Sequence, residues 1–589
     1  MGETPVHAKR LLWAGFFSIF AAGVGFGVRG SILVDWARLY GFTQKELGDI
    51  SGGGLAGFGF IIIFGGIIAD KLGYGKLMIF AFTMHVLSAI LQICTPMIFE
   101  AGGSHGREWV YYSLTIAMYM FSAGNGTCEV VVNPMVATLF PQNKTHYLNI
   151  LHAGWPGGLI AGGVIGYFKA EIFPIHWIIA MTLFLVPVMI YGMMMIGQHL
   201  PRSEASQAGV SFGTMLAEFA APVLLLLLLI HAMVGYVELG TDTWIQKITG
   251  TITASAGTGI LLFIYTNILM FTLRFFAGPI EHRISPLGLL FTCAVIATVG
   301  LTLLGNAVGV IMCLLAVTVY GVGKTFFWPT MLAVVSERFP RGGAVTLSAI
   351  GGVGMLSAGF LGAPGIGFQQ DHYATGELRR EAPATYDRYV NPEYKHFLWV
   401  FSTKGLDGEK VGLLELHAKA AKGDKAAEAD LEKTMTRLRE SKNPEQNKLA
   451  QWWDGARLFA PEDMLVLATK GLDSKKVGLL QLGAKAAQGD KAADKDLDNT
   501  LAKFRESTDP EQNQLAQWWT GAELYAPEDI KPVNEASLFG GRMALKWTAV
   551  VPLTMAFLYL CLIVYFRLRG GYTRLEIHPR GEELPAPVE

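Results

Sequence analysis

Four ionisable side chains, Arg29, Glu129, Glu238 and Lys324, stand inside runs of apolar residues. In hydrocarbon an unpaired charge costs at least about 2.5–3.5 kcal/mol, so such groups face one another or a wet cavity. A protonatable carboxylate beside a fixed guanidinium makes a ligand-sensitive switch, because a solute that loosens the pair changes the acid's hold on its proton. Hydrogen-bonding groups lie close by in sequence: Asn133 one helical turn after Glu129, then Asn149 and His152. Trp155 and Trp328 offer flat ring faces of the kind that stack on a pyranose. In Lys324-Thr325-Phe326-Phe327-Trp328-Pro329 the proline interrupts the backbone ladder inside an apolar run, and such unwound stretches are places for a bound solute. Asp242 is expected near the outer surface. His85, His176 and His231 stand on separate stretches and read as packing residues, without metal-ligand spacing. The five cysteines all lie in apolar stretches and offer neither a disulfide framework nor a metal site. No P-loop, zinc-protease helix motif or nucleophile elbow occurs, so neither an enzyme nor a cofactor is expected.

The elements that hold these residues are written in the composition. Of 589 residues 51% are hydrophobic and 16% charged, against about 25% charged in an ordinary soluble domain. More than half of the charges fall between Gln369 and Gly540, so the remainder is not written for water. That excludes a soluble enzyme, and a net charge of −1 without a basic domain excludes a nucleic-acid binder. A bilayer core of about 30 Å requires about 20 apolar helical residues. Twelve stretches meet that length: 11–34, 47–69, 76–98, 110–139, 147–168, 174–197, 216–244, 255–278, 286–306, 308–336, 343–366 and 545–566. The first reads as a span and not as a cleaved leader. Fourteen Lys and Arg flank one side of the membrane against five in the short loops of the other. Positive charge is retained inside, which places both termini in the cytoplasm and the segment 369–540 outside.

That segment is a tandem duplication. Lys404-Gly405-Leu406-Asp407 returns as Lys470-Gly471-Leu472-Asp473, and Trp452-Trp453 returns as Trp518-Trp519. Each copy reads as three short helices around its tryptophan pair. The expected division is 1–200 for a first six-helix bundle, 201–368 for helices 7–11, 369–540 for a helical insert with repeats at about 401–466 and 467–532, and 541–589 for helix 12 and a tail.

The turn after the second span reads Gly66-Ile67-Ile68-Ala69-Asp70-Lys71-Leu72-Gly73-Tyr74-Gly75-Lys76. It resembles the G-x-L-A-D-R-x-G-R-K signature of the major facilitator superfamily. A weaker copy, Arg274-Phe275-Phe276-Ala277-Gly278-Pro279, follows the eighth span. The resemblance implies an all-α membrane protein of twelve transmembrane helices in two six-helix bundles, here with an external helical insert between helices 11 and 12. It also makes Gly66, Asp70, Lys71, Gly73 and Arg274 gating residues. Glu129-Val130-Val131-Val132-Asn133-Pro134 and Leu148-Asn149-Ile150-Leu151-His152 further resemble segments of the fucose, galactose and glucose:proton symporter branch. That likeness implies a cavity-facing role in substrate or proton binding for Glu129 and polar cavity roles for Asn133 and Asn149. The branch's first-span aspartate falls at Gly30, beside Arg29; His152 stands for its glutamine and Trp155 for an asparagine.

The expected protein is a secondary active transporter in the bacterial inner membrane, a monomer moving a small polar solute, a sugar, with a proton by alternating access. Arg29 is expected to pair with Glu129, because spans 1 and 4 both line the cavity in such a fold. The alternatives are a facilitator or exporter of an anionic or nucleoside-like solute, recognised by Arg29 and Lys324, and a transporter-like receptor signalling through its external domain.

Overall fold

The computed structural model describes residues 7–40, 42, 44–172, 175–383, 386, 395–397, 401–403, 429, 526–577 and 583–585. Both expected repeats of the insert fall almost wholly outside the described residues. The chain divides into two compact units. One comprises Met1–Tyr40, Lys45–Gly367 and Ala544–Glu589; the other comprises Gly41–Gln44 and Phe368–Met543.

The first unit is helical. Its long elements are α1 (Ala8–Tyr40), α2 (Gln44–Leu72), α3 (Tyr74–Ile93), α4 (Gly106–Leu139), α5 (Lys144–His152), α6 (Gly154–Glu171), α7 (Trp177–Leu183) and α8 (Leu185–Met195). After a linker of two short helices come α9 (Pro222–Gly235), α10 (Thr241–Thr253), α11 (Ala256–Arg274), α12 (Ala277–Ile284), α13 (Pro286–Leu304), α14 (Gly309–Lys324), α15 (Phe327–Arg338), α16 (Gly343–Ser357) and the start of α17 (Ala363–Glu381). The chain returns through α18 (Ala526–Thr548) to α19 (Val550–Leu568) and a short antiparallel strand pair, Leu575–Ile577 with Glu583–Pro585. The described part of the second unit holds the end of α17, most of α18 and an antiparallel hairpin, Lys395–Phe397 with Phe401–Thr403.

Ten helical stretches among the described residues are long and apolar enough to cross a membrane. Side chains such as Phe64, Ile311, Leu315 and Phe557 lie more than 60% exposed on them, a surface suited to lipid. The helices over the fourth and fifth expected spans, α4 and α5–α6, form but are not among the ten. They carry the polar residues Asn125, Glu129, Asn133, Asn149 and His152, all buried within the protein.

Five breaks in the long helices share one chemical cause. Proline has no N–H to give the carbonyl four residues before it. Pro156, Pro187, Pro279, Pro329 and Pro552 accordingly stand four or five residues beyond the ends of α5, α7, α11, α14 and α18. Two wider helical turns, Tyr236–Gly240 and Ala358–Gly362, pack against each other between α9 and α10 and between α16 and α17. On α1 and α6 glycines one turn apart meet: a Cβ on Gly27 would lie 3.0 Å from the Gly162 Cα, so the two backbones touch only because neither residue has a side chain.

Candidate functional site

Glu129 and Asn133 lie one turn apart on α4 and therefore share a face. The Asn133 amide donates to Glu129 Oε2 at 2.6 Å. His152, the last residue of α5, places Nε2 at 2.8 Å from Asn133 Oδ1 and 3.8 Å from Glu129 Oε2. Because the amide nitrogen is committed to the carboxylate, Oδ1 is left as the acceptor and His152 Nε2 must carry the hydrogen. The three side chains form a continuous hydrogen-bonded path, buried throughout. Asn149, one turn before Ala153, donates to the Thr145 carbonyl at 2.8 Å and to Thr330 Oγ1 at 3.2 Å.

Facing this path is Arg274, expected in a gating turn but in fact 1% exposed at the centre. Its Nη2 donates to Glu238 Oε1 at 2.9 Å, Nε to the Thr325 carbonyl at 2.8 Å and Nη1 to the His152 carbonyl at 2.5 Å. Both backbone acceptors have the same origin. Pro156 stands four residues after His152 and Pro329 four residues after Thr325, so each carbonyl has lost its helical partner and is free to accept from the guanidinium. The planar fork of arginine suits several acceptors held in fixed directions. One of these carbonyls precedes the linker and the other follows it, so Arg274 ties the two parts of the helical unit together. Glu238 belongs to the wide turn between α9 and α10.

Next to this pair Lys324 hydrogen-bonds Asp242, with its ammonium 5.4 Å from the centre of the Tyr320 ring. Asp242 is packed among the helices, its side chain 10% exposed. Glu129, His152, Trp155, Glu238, Leu239, Arg274, Trp328 and Met355 enclose a cavity of about 10 Å³, room for roughly one water. Both tryptophans line it, with a carboxylate from each side of the linker.

Arg29 does not join them. The expected Arg29–Glu129 pair is replaced by stacking, with the guanidinium 4.9 Å from the Phe26 ring centre and 4.6 Å from that of Phe121. An aromatic face can hold a guanidinium, while Glu129 is already engaged by Asn133. His85 proves to be a packing residue with both ring nitrogens satisfied, by Tyr191 and Asn125 at 2.9 Å each.

A second cluster lies at the linker. Asp70 Oδ2 accepts from Ser203 Oγ at 2.7 Å and Oδ1 from the Ser203 N–H at 3.3 Å. The turn that presents Asp70 passes through Gly73 at φ 85°, a conformation that a side chain resists. Lys71 rests 5.1 Å from the Phe212 ring, and Gly66 packs against Ser348. Lys144 meets Glu204 at 2.7 Å. What the sequence reading missed is the tail. Arg574 donates to Glu281 at 2.6 Å and to the Gln142 carbonyl at 2.7 Å, and lies 3.2 Å from Glu337. Tyr572 donates to Glu337 at 2.7 Å, and Arg338 donates to the Thr573 carbonyl at 2.6 Å. The missed signal for the centre was the repeated Trp-Pro, at 155–156 and 328–329; nothing in the tail's sequence marked it as a strap.

The sequence profile of the Major Facilitator Superfamily matches residues 15–363. No curated protein sequence matches. Among solved structures, the E. coli proton:xylose symporter XylE, bound to 6-bromo-6-deoxy-D-glucose, superposes with a TM-score of 0.52 at 14% identity, covering 61% of this chain and 87% of its own. The E. coli fucose:proton symporter FucP gives 0.48 at 18% identity over 62% and 92%. The human organic anion transporter MFSD10 gives 0.45 at 14% over 62% and 93%. The likeness to XylE is one of fold. The profile spans more than half of the sequence, and so the chain belongs to the Major Facilitator Superfamily, a transporter and not an enzyme.

Proposed function

We propose that the protein moves a small polar solute of the sugar class together with a proton, by alternating access across two six-helix bundles in a bacterial inner membrane. In this reading α4 and α5–α6 also cross the bilayer, both termini are cytoplasmic and the segment 369–540 is external. Glu129 takes the proton, Asn133, Asn149 and His152 bind solute hydroxyls, and Trp155 and Trp328 flank the solute ring. Glu238, Arg274 and Lys324 form the opposing charged wall, while Gly66, Asp70, Lys71 and Gly73 serve the inner gate. The observation that carries the proposal is the Glu129–Asn133–His152 path, ending beside the carbonyl that Arg274 holds from the other side of the linker. A proton arriving on Glu129 withdraws one acceptor from Asn133 and rearranges its contact with His152. Protonation is thereby linked to the clasp between the two parts.

The test is uptake into proteoliposomes across a panel of sugars and their derivatives, with and without an imposed proton gradient. In Glu129→Gln the amide cannot cycle a proton, so gradient-driven accumulation disappears while exchange of solute for solute continues. Unchanged accumulation in that variant would overturn the role given to Glu129.

A further inference from the structure

Across the central charged groups the pairing is uneven. Arg274 is held by Glu238, Lys324 by Asp242, and Asp35, the remaining acid of α1, by Lys169 at 2.6 Å. Arg29, 7% exposed, has no carboxylate among the described residues, and its Nη2 has no hydrogen-bond acceptor. A second donor nearby is in the same condition. Trp155 lines the central cavity, its ring lies 5.3 Å from that of Phe26, on which Arg29 rests, and its Nε1 also lacks an acceptor among the described residues. Two buried donors on one aromatic cluster are therefore unsatisfied, one of them carrying a full charge. Donors and charges left without partners inside a protein are costly. Glu129, their formal counter-charge, is occupied by Asn133 and His152.

We infer that Arg29 and Trp155 receive a carboxylate of the solute, so that the sugar-class substrate of the proposed function is a sugar acid and not a neutral sugar. The inference rests on that reading. One unpaired cation matches one negative charge, which favours a monocarboxylate over a phosphate ester with two. Charge balance then fixes the coupling. With the solute's carboxylate neutralising Arg29, Glu129 is the one excess negative charge in the centre, and a single proton removes it. Anion and proton cross together with no net charge moved.

D-gluconate and D-glucuronate, with D-glucose and D-glucose 6-phosphate as comparators, are assayed on the full chain in proteoliposomes. The acids are expected to accumulate under a pH gradient, one proton each, at a rate unaffected when potassium and valinomycin set the membrane potential. Arg29→Gln raises their half-saturation concentration about 10- to 100-fold, the cost of a lost hydrogen bond to a charged group, and Arg29→Lys restores part of it. Because acid and neutral sugar are compared on the unmodified protein, the test does not depend on the folding of the variants. Accumulation of D-glucose in preference to the acids, with its half-saturation unchanged in Arg29→Lys, overturns the inference and leaves the transport reading standing. Preference for the phosphate ester, or potential-driven uptake, overturns the single-charge balance. If none of the four probes moves by a Glu129-dependent route, the inference and the reading beneath it fall together.

Discussion

At the scale of single residues the central question is why Arg274 is arginine. Its three donors run in three directions, to Glu238 and to two carbonyls. Lysine keeps the charge but not the planar fork. Arg274→Lys is expected to retain the Glu238 pair and lose the backbone contacts, at about 1.5–3 kcal/mol each for hydrogen bonds to a charged group. The melting temperature should drop by several degrees and solute uptake by at least about ten-fold, read by thermal unfolding in detergent and by proteoliposome flux. Wild-type values in both assays would mean that the fork is idle. At this scale the sequence was only partly legible. Glu129 and Asn133 could be paired from their spacing, because four residues make one turn. Arg274 was misplaced because it ends an apolar run, where a basic residue ordinarily marks a turn. The Arg29–Glu129 pair failed because sequence alone does not say which face of a 33-residue helix meets which neighbour.

At the scale of elements the breaks in the helices carry the argument. A proline can serve only to bend a span, or its freed carbonyl can be put to use. Pro187 and Pro552 are examples of the first kind, for no side chain among the described residues donates to the Leu183 or Thr548 carbonyl. Pro156 and Pro329 are of the second kind. In Pro329→Ala an N–H returns to compete with Arg274 for the Thr325 carbonyl, and Pro156→Ala does the same at His152. Each should slow solute uptake by about ten-fold, the effect of weakening one hydrogen bond worth about 1–1.5 kcal/mol. Pro187→Ala and Pro552→Ala, made at comparable breaks, should leave uptake within about two-fold. Equal effects at all four positions would show that flexibility, and not the carbonyl, is what matters. The spans themselves were legible because hydrocarbon leaves a helix no choice of composition. The polar residues of α4, α5 and α6 keep these helices out of the ten apolar stretches.

At the scale of the whole helical unit, the proposed movement between two access states requires contacts on either side of the linker to part. On the linker's side these are Asp70 with Ser203, Lys144 with Glu204, and the strap in which Arg574 spans Gln142, Glu281 and Glu337. Arg574→Ala removes the strap's only link, among the described residues, to the Gln142 carbonyl. Ala137, 3% exposed beside Ser203 and Leu347, then becomes reachable: a cysteine placed there should react with a maleimide about ten-fold faster in the Arg574→Ala background, a population shift of about 1.4 kcal/mol. Equal rates would mean that the strap does not hold the closed form. At the centre the corresponding tie is Arg274 to the His152 carbonyl, and it has an unusual genetic signature. Its acceptor is a main-chain atom, so every substitution at position 152 leaves that atom in place. A survey that replaces side chains one by one would attribute the tie to Arg274 alone. Its other end would come to light only as an unexplained intolerance at Pro156, a residue that carries no charge itself.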